Sequence, residues 1–336
     1  MTEPPAAPAI SRRALISAAV AVAGLAAVGI PAALQLTAPT DTPAAARTLF
    51  AGRGGKLLTP LLSSRPFSVA HRGGSNDWPE MSLQAYTHSA KLGVNALEIS
   101  LARTVDGVWF GLHDETLDRT SATVNFVAAE HTWAEVSSYR ISAAVAAART
   151  SAAPNSSAQT SSDPALADPG QSAAGQSAAQ PYLRFTELVS AFGSTHTIFV
   201  DPKFVAPRHY PELLELMAQG VDAPRESFVA KSLGTDQNWG PAARAKGFHT
   251  FGFYYVSRGD ATLDSLAATH GRWDLLGMQF DAGEAAWARI ESLGKPVIGH
   301  IVSDRPEARA ALSHGAVGLI VSGVREVLGA TPPATP

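Results

Sequence analysis

The sequence predicts an α/β protein folded as a (β/α)8 TIM barrel, and two observations support this fold. Short runs of β-branched or apolar residues recur along the chain, and helical patterns lie between most of them. Strands that alternate with helices form a parallel sheet, and eight strands close such a sheet into a barrel. Eight runs are present, at residues 67–70, 96–101, 197–200, 227–230, 250–253, 275–279, 296–301 and 318–321.

The helices of the barrel are predicted between these strands. Their patterns cover residues 81–92, 211–219, 241–246, 285–292 and 306–314. Proline at or near the start of several patterns fits the first turn of a helix, where its missing N–H is not needed. Glycine near the end of several fits a helix cap. In barrels of this kind the chemistry lies at the carboxyl ends of the strands, so polar residues there are the candidates for a site.

Residues 1–50 are predicted to be an export signal and its linker. Arg12 and Arg13 precede an apolar run at 14–36, and a stretch rich in Pro, Thr and Ala follows at 37–47. A charged start, an apolar run and small residues are typical of an export signal, and paired arginines favour the twin-arginine route. We therefore expect an exported protein, extracellular or in the cell envelope. An uncleaved membrane anchor is the alternative, because the run is long enough to span a bilayer.

A second unusual segment, residues 142–180, consists mainly of Ala, Ser, Gln, Pro and Gly with hardly any charge. Such a composition favours a disordered excursion, and patterned sequence on both sides indicates an insertion within a domain. We predict that it lies between the second and third barrel strands. The barrel itself is predicted over residues 66–328, which without the insertion is close to the usual size of about 250 residues.

Composition excludes several classes of function. The chain contains no cysteine, which rules out disulfide frameworks, thiolate zinc sites and cysteine nucleophiles. Its net charge is −3, so a nucleic-acid partner bound through a broad basic field is not expected. Contact with a membrane is expected only through the N-terminal segment, if that segment is retained. The sequence makes no prediction of the oligomeric state.

Polar residues cluster where the predicted strands end. They are His71 and Arg72 after the first run, Glu98 and Ser100 in the second, His113 after a further extended segment, Asp201 and Lys203 after the third, and Lys231 after the fourth. His300 lies near the end of a later run and could face the same pocket. Carboxylates, imidazoles and cations together suit phosphoryl chemistry, because cations offset phosphate charge and imidazoles move protons.

Several short motifs at fixed spacing extend this pattern. They read His71-Arg72-Gly73, Pro79-Glu80, Ala96-Leu97-Glu98, Thr104-x-Asp106-Gly107, His113-Asp114-x-x-Leu117-x-Arg119-Thr120, Thr186-Glu187-Leu188 and Asp201-Pro202-Lys203. Together they resemble the glycerophosphodiester phosphodiesterase family, over about residues 66–327 and most densely as far as Arg119. The resemblance implies a TIM barrel that hydrolyses glycerophosphodiesters, as small-molecule substrates, to glycerol 3-phosphate and an alcohol with the help of a divalent metal.

The resemblance also implies roles for individual residues. His71 and His113 resemble the catalytic pair, one as general base and the other as general acid, and the pKa of an imidazole suits both tasks. Arg72 and Lys203 resemble the cations that bind the substrate phosphate.

The implied metal site departs from the family pattern. Glu98 and Asp201 resemble ligands of Mg or Ca, for which carboxylate oxygens are suited, and Glu80 resembles a supporting residue near the metal or a histidine. The family usually has a carboxylate where this chain has Ser100. Ser100 is therefore a doubtful ligand, and we expect a weaker metal affinity.

Two other functions remain open at this point. Ser100 favours a non-catalytic relative that binds phosphodiester headgroups. A lipid phosphodiesterase of the same barrel type, resembling the phospholipase D-like toxins, is the second alternative.

Overall fold

Eight parallel strands close into a barrel in the computed structural model of the chain, which describes residues 49–142, 178–256 and 261–329. The barrel strands are β1 (Phe67–Ala70), β2 (Ala96–Arg103), β6 (Thr197–Asp201), β7 (Phe228–Leu233), β8 (His249–Tyr254), β9 (Leu275–Gln279), β10 (Val297–Val302) and β11 (Gly318–Val321). Each pairs with the next, and both β2 and β11 pair with β1, which closes the ring. The predicted fold and all eight predicted strands are confirmed.

Three further strands lie outside the ring. β3 (Trp109–Gly111) pairs antiparallel with the end of β2, and β4 (Arg140–Ile141) pairs antiparallel with β5 (Gln180–Pro181). The ribbon of β4 and β5 joins the two ends of the predicted insertion, between β2 and β6. Most of that insertion, 143–177, lies outside the described residues, as do 1–48 with the predicted export signal. Among the residues that are described, no helix is long and apolar enough to cross a membrane.

Helices follow most of the strands. They are α1 (Leu58–Ser63), α2 (Leu83–Lys91), α3 (Trp133–Ser137), α4 (Phe185–Phe192), α5 (Tyr210–Gln219), α6 (Pro224–Ser227), α7 (Trp239–Ala245), α8 (Leu266–Thr269), α9 (Glu284–Glu291), α10 (Arg305–Ser313) and α11 (Val324–Leu328). The five predicted helices are confirmed as α2, α5, α7, α9 and α10. Ser82 caps α2 and Asp304 caps α10, each by accepting a hydrogen bond from a backbone N–H of the first turn.

Two apolar layers hold the barrel together. Its interior is filled from alternate positions of the strands, such as Phe67 and Val69 of β1 and Phe251 of β8. The positions between them, such as Leu97 and Ile99 of β2, belong to the layer between strands and helices. The barrel is therefore a packed core, and a pocket can form only at its ends.

Candidate active site

The polar residues of the site continue the inward-facing rows of the barrel strands. Ala96 of β2 lies in the interior, and Glu98 stands two residues further along the same strand. Because the side chains of a strand alternate between two faces, residues two apart share a face. The same step leads from Val69 to His71, Phe199 to Asp201, Val229 to Lys231, Ile298 to His300 and Ile320 to Ser322. The fold therefore gathers these side chains at the carboxyl end of the barrel.

A pocket that is partly open to solvent lies at this end of the barrel. Its polar lining comprises His71, Arg72, His113, Lys203, Lys231 and His300, and Phe253 and Tyr255 contribute aromatic surface. Both predicted catalytic histidines and both predicted phosphate-binding cations thus line one pocket. Glu98 and Asp201 are almost completely buried. Glu98 accepts a hydrogen bond from the backbone N–H of Arg72, and Asp201 accepts one from Lys231.

His71 follows β1 directly and is held by a hydroxyl group. Its Nδ1 lies 2.9 Å from Oγ of Ser322, which follows β11. Burial lowers the pKa of His71 well below its usual value, and the positive charges of Arg72 and Lys231 lower it further. The ring is therefore neutral near pH 7 and able to accept a proton.

His113 is held by a carboxylate instead. Its Nδ1 lies 2.8 Å from Oδ1 of Asp114, whose other oxygen accepts a hydrogen bond of 2.6 Å from Nε of Arg119. Because an ionised carboxylate only accepts, Nδ1 of His113 donates and Nε2 of the neutral ring is left for a reacting proton. Burial lowers the pKa of His113, and Arg72 and Lys203 lower it further.

Arg72 adopts a backbone conformation that is rare for residues other than glycine. Its φ of 49° lies in the left-handed region, which costs a residue other than glycine about 1–2 kcal/mol. The turn directs the N–H of Arg72 to Oε2 of Glu98 at 2.8 Å. In the guanidinium group, Nη1 donates to Glu80 at 3.3 Å, whereas Nε is buried without a partner among the described residues. A buried donor of this kind at a pocket is available to a ligand oxygen.

Glu80 links Arg72, which lines the pocket, to Arg119, which does not. Its carboxylate accepts two hydrogen bonds from Arg119, of 3.0 and 2.6 Å, in addition to the one from Arg72. Burial alone would raise the pKa of Glu80, but the charges of Arg119 and Arg72 outweigh it and lower the pKa to about 2. Glu80 thus reaches His113 only indirectly, through Arg119 and Asp114. Its predicted supporting role stays a prediction.

The predicted metal ligands face a lysine. Nζ of Lys231 lies 3.1 Å from Oε1 of Glu98 and 2.8 Å from Oδ2 of Asp201. Ser100 Oγ donates a longer bond of 3.4 Å to the same Glu98 oxygen, and Nζ of Lys203 lies 3.2 Å from Oδ2 of Asp201. Within the described ranges, no three His, Asp or Glu side chains are arranged to hold a metal ion. The carboxylates as placed therefore fit an ammonium group better than Mg or Ca, and the predicted ligand roles stay predictions.

The pKa values of the two lysines of the pocket are shifted in opposite directions. Burial lowers the pKa of Lys203, and Asp201 only partly offsets this. Burial acts on Lys231 in the same direction, but Asp201 and Glu98 outweigh it and raise the pKa of Lys231 above its usual value. Both ammonium groups also lie over the ring of Phe253, at 5.1 and 4.7 Å from its centroid. Lys231 is consequently a permanent cation of the pocket.

Some of these contacts are not evident from the sequence. The motif around His113 contains Asp114 and Arg119, but their joint contact with Glu80 depends on how distant loops pack. Lys231 directly follows the predicted run 227–230, which is the one signal in the sequence that points to it.

The comparisons with known proteins agree with the geometry. The model of the glycerophosphoryl diester phosphodiesterase family matches residues 71–198. Glycerophosphodiester phosphodiesterase 1 of Bos taurus is 46% identical over 69 residues, which is 20% of this chain and 20% of that protein. The Bacillus subtilis glycerophosphodiester phosphodiesterase is 38% identical over 82 residues, 24% of this chain and 27% of that protein. The matched part thus spans only about a fifth to a quarter of these relatives.

Solved structures extend the likeness to the whole barrel. A glycerophosphoryl diester phosphodiesterase structure from Silicibacter pomeroyi has a TM-score of 0.57 at 18% identity, covering 82% of this chain and 95% of that one. A phosphodiesterase from Oleispira antarctica, in complex with sn-glycerol-3-phosphate, has a TM-score of 0.56 at 14% identity, covering 79% and 96%. Likeness at such identity shows the shared fold. Residues 71–198 thus match the model of the glycerophosphoryl diester phosphodiesterase family, and the barrel as a whole shares its fold with these solved structures.

Proposed function

We propose that this protein hydrolyses glycerophosphodiesters to glycerol 3-phosphate and an alcohol. The observation that carries the proposal is that His71 and His113 line one pocket together with Arg72, Lys203 and Lys231. Cations at a pocket attract a phosphodiester anion, and two imidazoles supply the acid and the base that its hydrolysis requires. The names of the curated relatives support the substrate class.

The cations bind and orient the phosphate in this proposal. Arg72 has a buried Nε without a partner among the described residues, and a guanidinium group can hold two phosphate oxygens at once. Lys203 lies two residues after β6 and Lys231 lies in the neighbouring strand β7, and both add positive charge to the pocket lining. These groups also stabilise the negative charge that builds up on the phosphoryl oxygens in the transition state.

The two histidines exchange protons with the substrate. One accepts a proton from the water whose oxygen forms a bond to phosphorus, and the other donates a proton to the alcohol oxygen as its bond to phosphorus breaks. The base is ready near pH 7, because burial lowers the pKa of both rings. The acid has to be protonated, and the negative charge of a bound phosphate stabilises its imidazolium form.

A divalent metal, which the family resemblance implies, enters none of these steps. The carboxylates of Glu98 and Asp201 already share the ammonium group of Lys231. In this proposal the side chains of the pocket carry out the proton transfers and stabilise the phosphoryl charge.

The function is tested with the purified full-length protein and a panel of glycerophosphodiesters such as glycerophosphocholine and glycerophosphoglycerol. Enzymatic detection of glycerol 3-phosphate is expected to show release that increases with protein concentration. A preparation of His113→Ala, made in the same way, controls for contaminating hydrolases. Tight binding of these compounds without turnover would instead support a headgroup-binding protein. Turnover of intact lipid but not of its deacylated headgroup would indicate a lipid phosphodiesterase.

Substitution of Arg72 by lysine tests the proposed grip on the phosphate. Arg72→Lys keeps one positive charge but loses the second parallel hydrogen bond, so kcat/KM is expected to fall about tenfold. Steady-state kinetics with glycerophosphocholine measure this, and Lys91→Arg on α2, outside the pocket lining, serves as the control. An unchanged kcat/KM in Arg72→Lys would contradict the assigned contact.

We further propose that the protein acts outside the cytoplasm. The paired Arg12 and Arg13 and the apolar run behind them support this. Mass spectrometry of the N-terminus of protein recovered from envelope and medium fractions tests whether the segment is removed or retained.

A further inference from the structure

The ammonium group of Lys231 lies between two buried carboxylates. Its Nζ donates to Glu98 at 3.1 Å and to Asp201 at 2.8 Å, and the exposed fractions of the three side chains are 7%, 0% and 3%. A buried carboxylate is costly unless a positive charge or several hydrogen bonds compensate it. Lys231 supplies that charge to both acids at once.

Three of the four carboxylate oxygens that would have to bind a divalent cation are already engaged. Oε1 of Glu98 accepts from Lys231 and Ser100, and Oε2 accepts from the backbone N–H of Arg72. Oδ2 of Asp201 accepts from Lys231 and lies within ion-pair distance of Lys203. Mg and Ca each need several oxygen ligands. A cation placed here would both compete for these oxygens and stand beside two ammonium groups.

The charges of the site balance without any ion. Among the described residues of the pocket and the layer behind it, four cationic side chains face four carboxylates: Arg72, Arg119, Lys203 and Lys231 against Glu80, Asp114, Glu98 and Asp201. Ser100 is consistent with this balance, because a carboxylate at that position would leave one negative charge in excess. The absence of a carboxylate at position 100 and the presence of Lys231 thus both favour a site that is neutral without a metal ion.

We propose that Lys231 replaces the divalent cation in this protein, so that hydrolysis proceeds without a metal ion. A lysine ammonium group has three N–H donors; two serve Glu98 and Asp201, and the third reaches an oxygen of the phosphodiester, since Lys231 lines the pocket. Lys231 therefore binds the phosphate and stabilises its transition-state charge. The role of Lys231 in turnover rests on the proposed function, whereas the prediction that the site binds no divalent cation does not depend on it.

The first experiment measures metal binding by the wild-type protein. The full-length protein is treated with EDTA, dialysed and titrated with Mn2+ alone, and free Mn2+ is followed by its EPR signal. The signal is expected to match that of buffer, with no site of Kd below about 1 mM. Release of glycerol 3-phosphate is expected to change less than about twofold in EDTA, because the lysine supplies the charge.

The second experiment removes the ammonium group. Lys231→Met keeps the length of the side chain but leaves Glu98 and Asp201 without their shared cation. We expect this variant to acquire one Mn2+ site per chain, and its turnover to fall about a hundredfold and to recover in part when Mn2+ is added. Removal of a lysine with a purely structural role would not create a Mn2+ site. Lys231→Arg keeps the charge and is therefore expected to bind no Mn2+. It is the second variant to be measured if Lys231→Met does not fold.

Lys295→Met is the matched control. Lys295 precedes β10 at the opposite end of the barrel, where its Nζ donates to the carbonyl groups of His270 and Trp273. Its removal is expected to leave both the Mn2+ titration and the turnover unchanged. Circular dichroism of the variants verifies that they are folded.

Two results would overturn the proposal. One is stoichiometric binding of Mn2+ by the wild-type protein, or loss of its turnover in EDTA. The other is a folded Lys231→Met that gains no Mn2+ site. If no glycerophosphodiester is hydrolysed, the proposed function fails, whereas the Mn2+ titration still decides the role of Lys231 because it requires no turnover.

Discussion

Replacing either His71 or His113 with alanine is expected to lower kcat about a thousandfold, since each imidazole moves one of the two protons of the reaction. Both rings line the pocket, where Ser322 contacts Nδ1 of His71 and Asp114 contacts Nδ1 of His113. KM is expected to change much less, because Arg72 and the two lysines bind the phosphate. Steady-state release of glycerol 3-phosphate from glycerophosphocholine measures both constants.

The same variants distinguish the acid from the base. A glycerol phosphodiester with a nitrophenol leaving group needs no protonation of the departing oxygen, so the variant that lacks the acid is expected to regain most of its activity on it. The variant that lacks the base gains nothing. His88→Ala is the control, because His88 stacks on Trp78 outside the pocket lining. Retention of more than about a tenth of the wild-type kcat by either pocket variant would refute the proton-transfer roles.

Removal of the Arg119 side chain is expected to cost about 3 kcal/mol of unfolding free energy at pH 7. In Arg119→Leu, Glu80 loses two hydrogen bonds and Asp114 loses one. Glu80 is 8% exposed and keeps only the longer contact with Arg72, so its negative charge is left poorly compensated. Urea unfolding followed by circular dichroism measures the loss. Arg289→Leu, which removes an exposed pair with Asp264, is expected to have little effect.

The destabilisation by Arg119→Leu also depends on pH. The pKa of Glu80 in the folded protein is about 2, against 4.5 for a free carboxyl. A group whose pKa is lowered by folding contributes stability above its unfolded pKa and loses it as the pH falls through the folded pKa. The difference between wild type and variant is therefore expected to be full above pH 4.5 and to shrink towards pH 2. A difference that stays constant over this range would show that Glu80 is not the residue affected.

The barrel could be predicted because its signals are local. Each strand is a short apolar run, and the alternation within it already shows which residues face the interior. Ala96 and Glu98 illustrate this, since a step of two along one strand leads from the packed interior to the pocket. The positions of His71 and Asp201 follow from the same rule.

The contacts among the site residues could not be predicted in the same way. Arg119 reaches Glu80 across 39 positions of sequence, and Lys231 reaches Glu98 across 133. No periodicity connects such residues, because packing of separate strands and loops brings them together. The sequence predicts that the carboxylate pair holds a metal, and nothing local in it indicates that a lysine from another strand contacts both acids. The export signal and most of the insertion lie outside the described residues and stay predictions.

The left-handed turn at Arg72 has a consequence for spectroscopy. Its amide proton is hydrogen-bonded to the carboxylate that Lys231 also contacts. A main-chain amide survives every side-chain replacement at that position except proline. In a nitrogen-15 correlation spectrum the amide of residue 72 is thus a built-in sensor of the electric field around Glu98. Its chemical shift would register the loss of the lysine charge or the arrival of a ligand anion directly, in a protein that need not be turning over.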